Sequence, residues 1–443
     1  MKYIVPALGT FAALSLFAFS VKGTTAAIAV ERPSYDETFK QLELFADVLA
    51  RVRADYVVDV DDPALIDDAI NGMLQGLDPH SSYMNADAFR DMQTTTSGEY
   101  GGLGMEVTTE EGFVKVVAPF DDTPASRAGI EPGDYLTEID GESLLGLSLT
   151  EAVEQMRGKP GEPITVTVVR KGEDDSMELT MVREVIERKP VTAEVKDGLA
   201  YIRIGQFNEK TESSLKAGIA QIKAQLGGKI PGVILDVRRN PGGLLDQSIK
   251  VSSAFLDGGE VVSTRGRRPN DVESYNAERS ELLPGVPVVV IIDNASASAA
   301  EIVAGAIQDR KRGLLIGKTS FGKGSVQSII PLRGGRDGAI RLTTQRYYTP
   351  SGQSIQGTGI EPDIFVSAQL KDDEGDEFRE SDLPNAIVNE LEAAAEDKEA
   401  TEPEIVIEYP PADFDVEDGD FQLQRAIEIL KDGSYVKLLN AAG

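Results

Sequence analysis

The 443-residue chain has no cysteine and a single histidine. Without cysteine it can form no disulfide, no zinc–thiolate site and no cysteine nucleophile. That composition suits an oxidising compartment without requiring one. A Ser-His-Asp enzyme or a multi-histidine metal site would have to rest on His80 alone. The stretch Asp78-Pro79-His80-Ser81-Ser82 carries no partner motif, so His80 reads as structural. Positive charge is also scarce: 44 Lys and Arg face 74 Asp and Glu, for a formal charge of −30. Such a chain repels phosphate backbones, and no local basic stripe offsets this, which excludes nucleic acid as a partner. Several nucleotide and hydrolase motifs are missing too. Gly317-Lys318-Thr319 ends like a phosphate-binding loop, but Arg312 stands where its first glycine belongs. Ser213-Ser214-Leu215-Lys216 fits S-x-x-K without the S-D-N or K-T-G that accompany it in penicillin-recognising enzymes, and there is no G-x-S-x-G. No internal repeat is evident.

Hydrophobic residues make up 41% and charged residues 27%, enough apolar material for a buried core. The length predicts two to four domains. At the N-terminus, Lys2 precedes an apolar stretch from about Ile4 to Val21, and Ala27-Ile28-Ala29 follows as a small-residue cleavage signature. This reads as a secretory leader over 1–29 or as an uncleaved anchor of about the length that spans a bilayer. Either places the remainder outside the cytoplasm. No later segment is apolar enough to span.

Periodicity divides the rest of the chain. Residues 30–96 read as helical, with apolar residues recurring largely at three- and four-residue spacing from Phe39 to Val52 and a stop at Gly76-Leu77-Asp78-Pro79. Residues 97–187 read as a compact strand-rich unit with two helices. Strands and helices alternate over 188–366, which predicts a layered α/β core. Residues 367–443 form an acidic region, strongest over 371–404, with a terminal helix at Phe421–Leu430. The fold class expected is therefore multidomain, α+β with a layered α/β part.

Four local patterns could carry chemistry. Asp293-Asn294-Ala295-Ser296-Ala297-Ser298-Ala299-Ala300-Glu301-Ile302 puts serines at a strand-to-helix turn, where free backbone N–H groups and the helix dipole suit an oxyanion. A serine there is equally an ordinary N-cap. Thr319-Ser320-Phe321-Gly322-Lys323-Gly324-Ser325-Val326-Gln327 sets a lysine between glycines, either desolvated enough to act as a base or simply exposed in a turn. Asn240-Pro241-Gly242-Gly243-Leu244 is an anion-cradling loop or a tight turn. Gly102-Leu103-Gly104-Met105, beside an apolar strand, is a terminal-carboxylate loop or a bulge.

Taken together, in this order along the chain, these patterns resemble the bacterial carboxyl-terminal processing proteases, secreted serine peptidases with an embedded PDZ domain. Gly76-Leu77-Asp78-Pro79-His80-Ser81-Ser82-Tyr83, Arg127-Ala128-Gly129-Ile130 with Pro132-Gly133-Asp134, Leu235-Asp236-Val237-Arg238 and Tyr348-Thr349-Pro350-Ser351-Gly352 add to the likeness, which runs from about Phe39 to Val366. The resemblance implies that 97–187 is the PDZ domain and 188–366 the protease core. It implies Ser298 as nucleophile, Lys323 as general base and Gln327 as the group that orients the lysine. The backbone N–H groups of Ala299 and of a loop glycine, Gly242 in preference to Gly243, would form the oxyanion hole. Where family members often carry a third serine this chain has Ala300; that position is not the nucleophile.

The same resemblance implies no cofactor, no metal and a periplasmic location. Its substrates would be proteins with apolar free C-termini, bound on the N–H groups of Leu103 and Gly104 with the last side chain near Met105. Arg170 would contact the catalytic domain and gate it. A homo-oligomer through the N-terminal helices and delivery by an adaptor protein also belong to this expectation. A catalytically silent PDZ adaptor is the alternative reading, and the joint presence of Ser298, Lys323 and Gln327 counts against it.

Overall fold

The computed structural model of the protein describes residues 35–442 apart from 98, 111, 121, 148, 174–175, 188, 372–377, 390–406 and 417–418. The leader or anchor expected over 1–29 and much of the acidic stretch 371–404 lie outside the described residues. The chain divides into two compact units, Met1–Leu65 and Ile66–Gly443. The first contains helix α1 (Tyr35–Asp55), and helix α2 (Asp62–Gln75) starts at its end. No described helix is long and apolar enough to cross a membrane.

In the second unit the helical pattern is interrupted by strand β1 (Ser82–Met84) before helix α3 (Ala86–Ser97). The interruption is local chemistry: Asp78 Oδ1 accepts the N–H groups of His80 and Ser81, both at 2.9 Å, and turns the chain after Pro79.

The strand-rich part follows. Its elements are β2 (Glu99–Gly102), β3 (Met105–Glu110), β4 (Phe113–Pro119), α4 (Pro124–Arg127), β5 (Tyr135–Ile139), β6 (Glu142–Ser143), α5 (Leu149–Met156), β7 (Pro163–Val169), β8 (Met177–Val182) and β9 (Glu184–Glu187). Strands pair antiparallel in the order β3-β4-β5-β7-β8, with β6 on β5, and β2 pairs with β9 where the chain enters and leaves. Alternate residues of β7, Ile164, Val166 and Val168, are buried against Val114, Val116, Leu136 and Ala152. This is the period-two pattern of a sheet with one face packed.

The remaining elements build the core: β10 (Val191–Lys196), β11 (Leu199–Ile204), α6 (Thr211–Gln225), β12 (Val233–Asp236), α7 (Leu245–Phe255), β13 (Glu260–Gly266), β14 (Val272–Asn276), β15 (Val288–Ile292), α8 (Ala299–Asp309), β16 (Leu314–Gly317), β17 (Ser325–Pro331), β18 (Ala339–Tyr348), β19 (Ile364–Val366), β20 (Ile407–Glu408), α9 (Phe421–Lys431) and α10 (Tyr435–Ala441). A seven-stranded sheet runs β10-β11-β12-β15-β16-β19-β20, parallel except for β10. All five residues of β15 are buried: Val288, Val290 and Ile292 face the cluster that includes α6, α7 and α8, while Val289 and Ile291 face α9 and α10. A strand covered on both sides reads as an unbroken apolar run, as here. A second sheet, β1-β18-β13-β14 with β17 on β18, carries the return chain.

The C-terminal residues belong to this architecture. β20 extends the main sheet, and Ala426, Ile429 and Tyr435 are buried against Leu199, Ile234 and Ile316. Residues beyond 366 thus pack on the same sheet, and α10 is a helix that composition did not mark. Arg238 fastens the layer by donating to Asp236 Oδ2 at 2.6 Å and to Asp420 Oδ2, at the N-cap of α9, at 2.7 Å.

Candidate active site

Three loops leave the C-terminal ends of neighbouring parallel strands: 237–244 after β12, 293–298 after β15 and 318–324 after β16. Crevices outside such strand ends are where ligands bind in open α/β sheets.

The serine loop is fixed by its first serine. Ser296 is fully buried; its hydroxyl donates to the Val237 carbonyl at 2.8 Å and accepts the Asp293 N–H at 3.0 Å. With its oxygen so engaged, Ser296 holds the loop to β12. Ser298 then stands at the N-cap position of α8 with φ 54 and ψ −112, a left-handed conformation that is strained for any residue but glycine. An ordinary N-cap serine is extended, so this conformation departs from a simple cap. Ala299 is the first helical residue, and its N–H belongs to the turn that has no intrahelical acceptor. Ala300 is fully buried in the core cluster, where a methyl group fits.

Sequence reasoning gave no role to Glu301, and the structure makes it the centre of the site. It is fully buried. Its Oε2 accepts the N–H of Ser298 at 2.7 Å and the N–H of Lys323 at 2.9 Å. The two backbone nitrogens can thus be no further apart than the sum of those distances. Its Oε1 accepts the Gly322 N–H at 2.7 Å and the Ser320 hydroxyl at 2.6 Å. Burial pushes this carboxyl up to about 7, against the pull of those four donors. The sequence did carry a signal: Ser298-Ala299-Ala300-Glu301 has the S-x-x-E spacing of a capping box, in which the glutamate reaches back to the N-cap N–H.

The lysine loop is shaped by close approach. Gly322 has φ +94, and a Cβ at Gly324 would strike the backbone nitrogen of Gln356. Lys323 between them is half-buried. Burial lowers its proton affinity below the ordinary lysine value; Arg341 reinforces this, and Glu380, Glu301 and Asp78 oppose it.

The glycine loop meets the serine. A Cβ on Gly242 (φ +97) would lie 2.8 Å from Ser298 Cβ and 2.9 Å from the Ala299 nitrogen. The loop is tied across by Ala297 N–H, which donates to the Asn240 carbonyl at 2.9 Å. The Gly242 N–H itself donates to Asn240 Oδ1 at 2.8 Å. In this arrangement the proton of Gly242, the glycine preferred as oxyanion donor, is taken within its own loop. The Gly243 N–H has no acceptor among the described residues.

Two further side chains bond elsewhere in this arrangement. Among the described residues Gln327 makes no hydrogen bond to Lys323: its amide nitrogen donates to Ser325 Oγ at 3.0 Å and Thr343 Oγ1 at 3.2 Å, and Thr343 in turn donates to Asp78 Oδ1 at 3.0 Å. Among the described residues the hydrogen bonds and ion pairs of Arg170 stay within its own domain. Arg170 forks onto Asp134 with two bonds of 2.8 Å, donates to the Gly129 carbonyl at 2.8 Å and pairs with Glu131 at 3.1 Å. It thereby pins the loop 129–134 inside its own strand-rich domain.

That domain carries the other expected site. Leu103 and Gly104 use their carbonyls, which accept from Ala125 N–H at 2.9 Å and from Thr123 Oγ1 at 2.8 Å. Their N–H groups have no acceptor among the described residues. They border a cavity of about 80 Å³ lined also by Met105, Val107, Val153 and Met156, between β3 and α5. An extended peptide laid along β3 would end there.

Three family models match: one described as "Activating protease CtpB N-terminal domain" over residues 3–88, one as "PDZ domain" over 115–170 and one as "Peptidase family S41" over 198–366. A carboxy-terminal-processing protease of Bartonella bacilliformis is 50% identical over 370 residues, 83% of this chain and 83% of its own length. The chain belongs to the carboxy-terminal processing proteases. The carboxy-terminal processing protease CtpA of Bacillus subtilis is 35% identical over 324 residues, 73% of this chain and 68% of that one. Among solved structures, the photosystem II D1 C-terminal processing protease is similar at 28% identity and a TM-score of 0.45, covering 74% of this chain and 86% of that one. The protein is thus a family S41 serine peptidase with a PDZ domain, a domain type that suggests binding of protein C-termini.

Proposed function

We propose that this protease cuts polypeptides presented by an apolar free C-terminus, using Ser298 as nucleophile and Lys323 as general base. The observation that carries the reading is the Glu301 carboxylate, which accepts the backbone N–H groups of both residues on one oxygen. It couples the serine turn to the lysine turn without touching either reacting atom.

In the reaction, the neutral amine of Lys323 takes the Ser298 hydroxyl proton as Oγ bonds to the scissile carbonyl carbon. Negative charge moves to the carbonyl oxygen, which the N–H groups of Ala299 and Gly243 would face. The C–N bond then breaks, and the lysine ammonium returns its proton to the leaving amine. A water molecule, deprotonated by the same amine, attacks the acyl carbon and frees Ser298 and a new carboxylate. The PDZ domain holds the substrate tail on Leu103 and Gly104, with its last side chain in the Met105, Val107 and Val153 cavity. Secretion to the periplasm, self-association and delivery by an adaptor are the further parts of this reading that come from the family and the N-terminal sequence.

The base must be unprotonated, so kcat/KM rises with pH as Lys323 loses its proton. Because burial lowers that proton affinity, the midpoint of the rise falls below the ordinary lysine value of about 10.4. Lys323→Ala loses about 10²–10⁴-fold in kcat and loses that limb of the profile. The test is digestion of an unfolded protein with an apolar C-terminus by wild type and Lys323→Ala, with fragments read by mass spectrometry. A parallel digest uses the same protein with its C-terminus amidated. Cleavage by wild type alone, slowed by amidation, is expected; equal cleavage by Lys323→Ala overturns the dyad.

A separate variant probes the tail site. Gly104 has φ +76, and a Cβ there would run into the Thr123 side chain. Gly104→Val should therefore distort the loop and weaken binding of an apolar-ended peptide by about tenfold or more. The cleavage rate of a short peptide at saturation should stay within about threefold of wild type. Isothermal titration and steady-state kinetics measure the two effects.

A further inference from the structure

A cavity of about 710 Å³ opens over the C-terminal ends of four neighbouring parallel strands, β11, β12, β15 and β16. Its walls take in the first residues of all three site loops. Arg238 and Arg239 come from the glycine loop, Asp293 to Ala295 from the serine loop and Lys318 from the lysine loop. Gly242 follows Arg239 by three residues, and Ser298 follows Ala295 by three. Three residues of extended chain span at most about 11 Å. A polypeptide held at Ser298 therefore reaches this cavity with a side chain three or four residues from the cut.

The charge of the walls runs against that of the chain. Four cations line the cavity, Arg203, Arg238, Arg239 and Lys318, against two carboxylates, Asp293 and Asp420, in a chain of formal charge −30. Both carboxylates are engaged. Asp420 Oδ2 accepts Arg238 at 2.7 Å, and Asp293 Oδ1 accepts the N–H groups of Arg239 and Ala295 at 3.0 and 3.1 Å. Arg238 is spent on Asp420 and on Asp236 beneath it. Arg203 is held loosely, reaching Asp236 and the Arg238 carbonyl at 3.4 Å, near the limit of a hydrogen bond. The Arg239 guanidinium has no hydrogen bond or ion pair among the described residues, while its backbone is fixed at φ 53 by the bond to Asp293. A guanidinium keeps its charge in proteins and offers a fork of donors that matches a carboxylate.

We propose that this cavity is a substrate subsite for an acidic side chain, Asp or Glu, three or four residues from the scissile bond, and that Arg239 selects it. The carboxylate is that of a side chain because the other two are placed elsewhere: the PDZ loop holds the substrate's C-terminal one, and the new one forms at Ser298. Arg239 touches no reacting atom; it sets specificity. The proposal rests on the reading of Ser298 as nucleophile.

The test uses full-length protein and quenched-fluorescence peptides that share one neutral sequence and one free apolar C-terminus. Each carries a single Glu or Gln at a chosen distance on either side of the cut. At a position three or four residues from the cut, Glu is expected to be favoured over Gln by about fivefold in kcat/KM, through KM, and about 0.5 M salt largely removes the preference. Arg239→Gln brings the ratio to about twofold or less, Arg239→Lys keeps its direction, and Arg239→Glu turns it below one.

The ratio of the two peptides is independent of how much of a sample is folded, so partial misfolding does not imitate these changes. A purely structural Arg239 would lower both rates and leave their ratio alone. Calorimetric titration of the same pair into Ser298→Ala reads the subsite without cleavage, with Glu again expected to bind about fivefold more tightly. No favoured Glu at that distance, equal binding of the pair, or a ratio unchanged in Arg239→Gln overturns the proposal. Cleavage by Ser298→Ala overturns the nucleophile instead, so the two failures are distinguishable.

Discussion

Ser298→Ala is expected to lower kcat by about 10⁴–10⁶-fold while the protein stays folded. The size follows from the covalent step, which no neighbouring hydroxyl can take over. Ser296, two residues earlier, spends its oxygen on Val237 and Asp293 and is fully buried. The substitution removes one oxygen and leaves the backbone at φ 54, so stability should change by less than about 1 kcal/mol. Ser298→Gly should be equally inactive yet more stable than Ser298→Ala by about 1 kcal/mol, because glycine accepts that φ without strain. Urea unfolding and fragment analysis check both. Residual activity within tenfold of wild type would show that another group attacks the substrate.

Glu301→Ala is expected to abolish activity and to destabilise the protease core by on the order of 4 kcal/mol. Four donors, the N–H groups of Ser298, Gly322 and Lys323 and the Ser320 hydroxyl, lose their acceptor inside the protein. Each buried donor left unsatisfied costs about 1 kcal/mol or more. Activity falls for a separate reason: nothing then ties the serine turn to the lysine turn. Glu301→Gln is the sharper probe. One amide oxygen can still accept two donors, but the amide nitrogen confronts the other two. It should therefore fold and still lose most of its rate. Hydrogen exchange reads the local effect, with protection lost at Gly322 and Lys323 before the rest of the core. Unchanged protection at those amides would mean that the carboxylate is not what holds the loops.

Much of this was legible in the sequence because it is local. The run Val288–Ile292 followed by small residues marked a buried strand entering a helix. The glycines around Lys323 marked a backbone under close approach. What was not legible depends on chain brought from far away. The two-residue strand Ile407–Glu408 has no periodicity of its own and exists because β19 offers an open edge. Helices α9 and α10 owe their place to apolar residues that cover the second face of the sheet. Arg170 at a strand end could have pointed anywhere, and only the folded loop 129–134 brings Asp134 within reach. The Asn240 side chain that takes the Gly242 N–H lies two residues away, yet a turn that folds an amide back on its own loop looks the same in sequence as one that leaves the N–H free. His80 meets the Glu380 carboxylate for the same long-range reason.

The central claim, that Ser298 is acylated with Lys323 as its base, is tested most directly by trapping the covalent intermediate. Wild type and Lys323→Ala would be mixed with a p-nitrophenyl ester of an N-acylated apolar amino acid and quenched in acid, and the acylated peptide mapped by mass spectrometry across a pH series. An acyl group is expected on Ser298 in wild type, formed faster as pH rises through a midpoint below that of an ordinary lysine, with little or none in Lys323→Ala. Acylation of another residue, or of Ser298 at the same rate in both proteins, would contradict the claim.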